Sequence, residues 1–255
     1  MPLREKAYED SKMGRMTGRL IGVGVGPGDP ELLTLKALNA LQAADVVAYF
    51  AKSGNESNAR RIVEGHLNRT EELPLLYPVT TEIPKAHEAY RDAIADFYDV
   101  SAAAVSSYLD DGRNVAVLSE GDPLFYGTYM HIHVRLSRHY VTEVIPGITG
   151  MSGCWSSAST PITQGDDVFT VLPGTLPEVE LERRLADCDA AVVMKIGRHL
   201  PKIRRACERA GCLDRAIYVE RGTMRNSAVM KLTDKLDMKA PYFAIVLVPG
   251  WEERR

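Results

Sequence analysis

The residues able to do chemistry in this chain gather in three loops rich in small side chains. The first is Gly22-Val23-Gly24-Val25-Gly26-Pro27-Gly28-Asp29-Pro30, which closes a short apolar run beginning at Leu20. It invites comparison with the dinucleotide-binding pattern G-x-G-x-x-G, and the comparison fails on physical grounds. The sixth position counted from Gly22 is Pro27, which has no N–H to offer a phosphate, and Asp29 puts negative charge where a pyrophosphate would lie. The acid that binds a ribose should end the second strand, yet Asp45 precedes that strand and Phe50 ends it. A nucleotide-dependent oxidoreductase is therefore disfavoured. What remains is a glycine-rich loop at the C-terminal end of a strand, where open α/β sheets bind ligands, or a tight turn with no ligand.

The second loop, Ser119-Glu120-Gly121-Asp122-Pro123-Leu124-Phe125-Tyr126-Gly127-Thr128, sets two carboxylates on either side of a glycine that permits close backbone approach. Such a loop suits a cationic or hydroxyl-rich ligand and repels phosphate. Equally, Asp122 fits a helix N-cap with Pro123 at the first helical position. The third, Ile145-Pro146-Gly147-Ile148-Thr149-Gly150-Met151-Ser152-Gly153, reads as a turn into a helix, for ligand approach or for packing backbone on backbone. Lys195, Arg198, Lys202 and Arg205 recur every three or four residues. They form either a solvated basic face or a clamp for an acidic substrate, and Lys195 and Arg198 are the better candidates because they leave a strand end. His131 and His133 are two apart and face different sides of a helix, and no Cys/His set has zinc spacing, so no catalytic metal is expected. Cys154, Cys188, Cys207 and Cys212 form no C-x-x-C pair and read as reduced thiols of a cytoplasmic protein.

The elements that must position these loops follow from pattern. The 255 residues are 45% hydrophobic with 31 Lys+Arg against 34 Asp+Glu, a net charge of −3, which describes a folded protein and argues against nucleic acid as partner. Apolar runs such as Tyr242 to Val248 fall far short of the roughly twenty residues of a membrane span. Residues 1–18 are charged, with no apolar segment, and read as a polar tail. Strands are expected at Leu20 to Val25, Val46 to Phe50 and Val115 to Leu118, with helices from Leu35 to Ala44 and from Pro84 to Tyr108. Further strands are expected at Val141–Ile145, Val168–Leu172, Ala190–Met194, Ala216–Glu220, Ser227–Leu232 and Tyr242–Val248. Helices are expected from Pro146 to Ala158, Glu178 to Ala186 and Leu200 to Ala210. The last three strands follow without a helix between them, which implies antiparallel pairing. The chain reads as α/β in two domains: residues 19–140, mainly parallel, and 141–255, mixed.

Taken together, the three loops resemble the tetrapyrrole methylase family, which methylates corrin and porphyrin precursors with S-adenosylmethionine. Six segments carry the resemblance in order: Gly24 to Thr34, Glu120 to Gly127, Pro146 to Gly150, Met194-Lys195, Glu220-Arg221-Gly222-Thr223 and Pro241 to Gly250. Within the family, Leu76-Tyr77-Pro78-Val79-Thr80-Thr81, Val117 to Pro123, Met151 to Trp155, Val171 to Leu176 and Met194 to Arg198 are most similar to the branch acting on meso carbon C20 of precorrin-2. The same reaction on the cobalt-containing substrate stays open. The resemblance implies two α/β domains with the cofactor in the cleft between them, a homodimer, and S-adenosylhomocysteine as by-product. By motif, Pro27 would contact the cofactor through its backbone. Glu120, Gly121 and Asp122 would border the methionine and ribose, with Phe125 lining the same pocket. Thr149 and Gly150 would follow, and Met194 and Gly222 would lie near the adenine. Asp29, Tyr126, Lys195 and Arg198 would face the substrate. Some uroporphyrinogen-methylating relatives carry an Asp, discussed as a proton acceptor, where this chain has Phe50, so that role does not transfer.

Overall fold

The computed structural model describes residues 17–67, 70–78 and 87–250. The chain divides into two units, one made of Met1–Gly26 with Pro30–Ile148 and the other of Pro27–Asp29 with Thr149–Arg255.

The first unit is built on a five-stranded sheet in the order β3-β2-β4-β1-β5. Its strands are β1 (Leu20–Gly24), β2 (Val46–Lys52), β3 (Glu71–Tyr77), β4 (Val115–Ser119) and β5 (Thr142–Ile145), and every pairing is parallel. Helices α1 (Leu35–Ala43), α2 (Asn58–Val63), α3 (Glu88–Asp110) and α4 (Tyr129–Leu136) occupy the crossovers. Successive residues of the central strands feed opposite cores. Leu20, Val46, Val115 and Val117 pack with Phe97 and Val105 of α3 and Ile132 of α4. Ile21, Val23, Val47 and Ala116 pack instead with Leu41 of α1 and Ile62 of α2. Both faces are covered, which is why β1 and β4 are buried along their whole length. Gly22 lacks a side chain because the ring of fully buried Tyr129 stands where its Cβ would be.

The second unit has a five-stranded sheet in the order β6-β7-β10-β8-β9. Here β6 (Phe169–Pro173) and β7 (Ala190–Met194) are parallel, and β8 (Ile217–Glu220), β9 (Ala228–Lys231) and β10 (Ala244–Val248) join by antiparallel pairings. Helices α6 (Glu178–Ala186) and α7 (Leu200–Arg209) cover one face with Leu181, Leu185, Leu200, Ile203 and Cys207. The other face packs Val192, Val219 and Ile245 with Cys154 of α5 (Gly150–Ser157). Among the described residues, no helix is long and apolar enough to cross a membrane.

Two expectations are corrected. The division between units falls after Ile148, not at residue 140, because β5 pairs in parallel with β1 and so completes the first sheet. The helix expected from Pro146 starts at Gly150, where the Thr149 hydroxyl accepts the Ser152 N–H and caps it. Three elements had no clear signature: α2, six residues long; β3, interrupted by Pro74 with only Leu75 buried; and α4. The polar tail over 1–16, the start of the helix expected from Pro84, and Val79 to Thr81 lie outside the described residues.

At Gly147 a Cβ would overlap the Gly121 carbonyl oxygen, and at Gly24 it would lie 2.5 Å from the Gly147 nitrogen. A Cβ on Gly150 meets nothing within 4 Å. Gly147→Ala is accordingly expected to lower stability by about 2–3 kcal/mol in urea unfolding. Gly150→Ala is expected to change it by no more than about 1 kcal/mol.

Candidate active site

In the first unit, the loops leave the C-terminal ends of β1, β4 and β5. They are stitched by backbone: Val25 N–H donates to the Ser119 carbonyl at 3.0 Å, Gly121 N–H to the Gly26 carbonyl at 2.8 Å, and Gly26 N–H to the Gly121 carbonyl at 3.4 Å. Asp122 completes the seam. Its Oδ1 accepts the Leu124 N–H at 2.9 Å and its Oδ2 the Gly147 N–H at 3.2 Å. No helix begins at Pro123, so Asp122 is not a helix cap; it ties its own loop to the one after β5. Phe125 and Tyr126 lie edge to face, 4.9 Å apart. Tyr126 is 46% exposed and has a φ of 56°, a left-handed conformation that costs energy for an aromatic residue.

Glu120 differs from Asp122. Burial pushes its carboxyl up to about 7, partly offset by the charge of Arg61 and by a hydrogen bond from Asn58. Both of those residues belong to α2, and the Arg61 guanidinium donates to Asn58 Oδ1 at 2.7 Å. Sequence reasoning passed over Asn58 and Arg61, since α2 carried no signature.

In the second unit, Pro27–Asp29 pack on α5 and on the loop after β8. A Cβ on Gly153 would stand 2.7 Å from the Pro27 ring, and one on Gly28 would stand 2.5 Å from Met224 Cγ. Gly222 sits against α5 so closely that a Cβ would lie 2.6 Å from Cys154 Sγ. Thr223 N–H donates to Ser157 Oγ at 2.9 Å, while its own Oγ1 is buried and has no hydrogen-bond partner among the described residues. At the end of β7, the Met194 carbonyl accepts the Gly174 N–H at 2.6 Å, and the exposed Lys195 follows with a φ of 56°. Arg221 and Thr223 also have positive φ, 47° and 71°. Tyr126, Lys195, Arg221 and Thr223 thus lie in the segments singled out from sequence, and backbone strain of this kind concentrates at functional sites.

The basic run splits. Lys202 donates to the Leu176 carbonyl and Arg205 pairs with Glu178, so both serve the α6–α7 layer, whereas Lys195 and Arg198 are exposed at the strand end. His131 stacks on Tyr98 with ring centres 3.9 Å apart, and His133 Nδ1 lies 3.3 Å from the Tyr129 hydroxyl. Among the described residues, no group of three or more His, Cys, Asp or Glu could hold a metal ion.

The model of the tetrapyrrole (corrin/porphyrin) methylases matches residues 19–236. The chain belongs to the tetrapyrrole methylases. It is 65% identical over 238 residues to a precorrin-2 C(20)-methyltransferase from Sinorhizobium sp, covering 93% of this methylase and 97% of the relative. A cobalt-precorrin-2 C(20)-methyltransferase from Salmonella typhimurium is 26% identical over 242 residues, with 93% and 99% covered. Among solved structures, uroporphyrin-III C-methyl transferase from Thermus thermophilus, complexed with S-adenosylhomocysteine, has the same fold, with a TM-score of 0.61 at 24% identity. That match covers 90% of this methylase and 96% of the neighbour.

A carboxyl held above its ordinary value of 4.5 makes folding easier when it is protonated. That stability is fully present below about 4.5 and is lost as pH rises through about 7. Glu120→Gln keeps the neutral shape, so its melting temperature should exceed that of the unaltered protein at pH 8 and match it at pH 4.5, by differential scanning calorimetry.

Proposed function

We propose that this methylase transfers the methyl group of S-adenosylmethionine to meso carbon C20 of precorrin-2, giving precorrin-3A, in cobalamin (vitamin B12) biosynthesis. The observation that carries the reading is the 65% identity to a precorrin-2 C(20)-methyltransferase over nearly the full length of both chains. The cobalt-bearing substrate is the second reading, supported by the 26% identity to the Salmonella typhimurium enzyme, and the gap between the two identities favours the metal-free one.

The residues present fit the methyl donor. Thr223 Oγ1 is a buried polar atom with an unfilled hydrogen-bonding capacity. The space beside Gly150 Cα is open, and the acidic loop of Glu120 and Asp122 suits a sulfonium and a ribose. Pro27, Glu120, Gly121, Asp122, Phe125, Thr149, Gly150, Met194 and Gly222 are proposed to hold it. S-adenosylmethionine brings a methyl group already activated on a sulfonium. The protein's part is to align the meso carbon with that group, which can supply on the order of 7–11 kcal/mol of barrier lowering. It must do so without favouring the ground-state cation over the transition state. Asp29, Tyr126, Lys195 and Arg198 are proposed to orient the substrate, the two cations through its carboxylates. The proposal includes a homodimer in the cytoplasm with no nucleic-acid partner, in keeping with the net charge of −3.

Two measurements check this reading. Anaerobic reaction of methyl-labelled S-adenosylmethionine with precorrin-2 should place the label at C20 in the carbon NMR spectrum. Label on a pyrrole-ring carbon, or transfer only to the cobalt complex, would defeat it. Replacing Lys195 or Arg198 by Ala should raise KM for precorrin-2 by about tenfold or more, each charged hydrogen bond being worth ~1.5–3 kcal/mol. Affinity for S-adenosylhomocysteine, measured by calorimetry, should stay nearly unchanged.

A further inference from the structure

Methylation of a meso carbon that already bears hydrogen is a substitution with two halves. In the first, a π-electron pair of the macrocycle forms the C20–CH₃ bond while the S–CH₃ bond breaks and leaves its pair on sulfur. C20 then carries both the new methyl and its original hydrogen. In the second, the C20–H bond breaks, its pair returns to the macrocycle, and the proton must pass to a base. Resting on the methyl transfer proposed above, we propose that the Glu120 carboxylate, set just beyond the end of β4 beside the backbone-bonded Asp122, is the base that takes the C20 proton.

The loop after β4 offers two carboxylates, and the structure treats them differently. Asp122 spends both oxygens on backbone N–H groups, those of Leu124 and Gly147. Taking up a proton would cost the seam one of its stitches. Glu120 stands one residue beyond β4, at the C-terminal edge where parallel sheets place their reactive groups. Its backbone is fixed on one side by Ser119, whose carbonyl takes the Val25 N–H, and on the other by the paired Gly121 and Gly26. Asn58 and Arg61 of α2 act on its carboxyl, and burial outweighs both. Arg61 donates to Asn58 Oδ1. The other arginine of α2, Arg60, is turned to Glu64 and Glu72.

That arrangement leaves the carboxylate basic. Glu72 shows the opposite case: Arg60 grips both of its oxygens, at 2.6 and 3.0 Å, and holds it below its ordinary value. A carboxylate so gripped is a poor proton acceptor, whereas Glu120, raised toward neutrality by burial, is matched to a proton transfer near neutral pH. The Arg61 charge and the Asn58 amide both favour the ionised form, but burial outweighs them, so the carboxyl stays raised.

The experiment compares precorrin-2 carrying hydrogen or deuterium at C20 in single turnovers of the unaltered protein, Glu120→Gln, Glu120→Asp and Asp122→Asn. Calorimetry with S-adenosylhomocysteine runs alongside. Glu120→Gln should slow turnover by about 10²–10⁴-fold and make C20–H cleavage rate-limiting, so that a deuterium isotope effect absent from the unaltered protein emerges. Its affinity for S-adenosylhomocysteine should fall by far less than its turnover. Glu120→Asp, which keeps a carboxylate, should recover part of the rate, and Asp122→Asn should show no isotope effect. Turnover and S-adenosylhomocysteine affinity falling by one common factor in Glu120→Gln, with no isotope effect, would overturn the assignment and leave Glu120 a cofactor ligand. Unaltered protein that binds S-adenosylhomocysteine but transfers no methyl to precorrin-2 would overturn both the assignment and the function on which it rests.

Discussion

The structure depends most on three backbones meeting without side chains between them. Gly24, Gly121 and Gly147 end or follow β1, β4 and β5, and each occupies space in which another's Cβ would lie. The parallel sheet brings these strand ends side by side; the missing Cβ atoms let their loops close into one surface. Asp122 then fastens the closure with a carboxylate in place of a backbone carbonyl. The same seam fixes the backbone on either side of Glu120. A carboxyl on a mobile loop would stay hydrated, whereas one seated between two fixed neighbours is held half-buried, where desolvation raises it.

The second unit solves a related problem by strain. Lys195, Arg221 and Thr223 leave strand ends in left-handed conformations that glycine would adopt more cheaply. Such conformations persist only where surroundings over-determine them. For Thr223, Ser157 of α5 supplies that constraint by accepting its N–H, and for Arg221 the Phe243 carbonyl does so, taking its N–H at 2.7 Å. The strained positions turn side chains and carbonyls away from the directions that continued strands would give them.

Much of the fold was legible because its signals are local. Apolar runs as short as those of β1 and β4, closed by turn residues, read as strands covered on both faces, and the 3.6-residue spacing of α3 marks a helix. The legibility failed where partners are distant in sequence. β5 looks the same whether it opens a second sheet or closes the first, and only its register with β1 decides. The carboxylates of the acidic loop were legible as a pair, but their division of labour was not. Asp122 is bonded to Gly147, 25 residues on, and Glu120 is conditioned by Asn58 and Arg61 on a helix with no periodicity to mark it. The family resemblance named the loops; three-dimensional neighbours are needed to say which atom in them is still available for chemistry.

The excursion of Pro27–Asp29 has a consequence for modularity. The chain leaves the first unit after Gly26, contributes three residues to the second against Gly153 and Met224, and returns at Pro30. The units are therefore joined by three covalent crossings, where a simple tandem arrangement would have one. Neither half is a transplantable cassette: a fragment ending at Ile148 would carry a segment whose packing partners are missing, and the complementary fragment would lack the proline that fills the space beside Gly153. Recombination between relatives at the apparent linker would separate residues that pack against each other, Pro27 from Gly153 and Gly28 from Met224. Inheritance of the two halves is thus bound into a single unit by a loop of three residues.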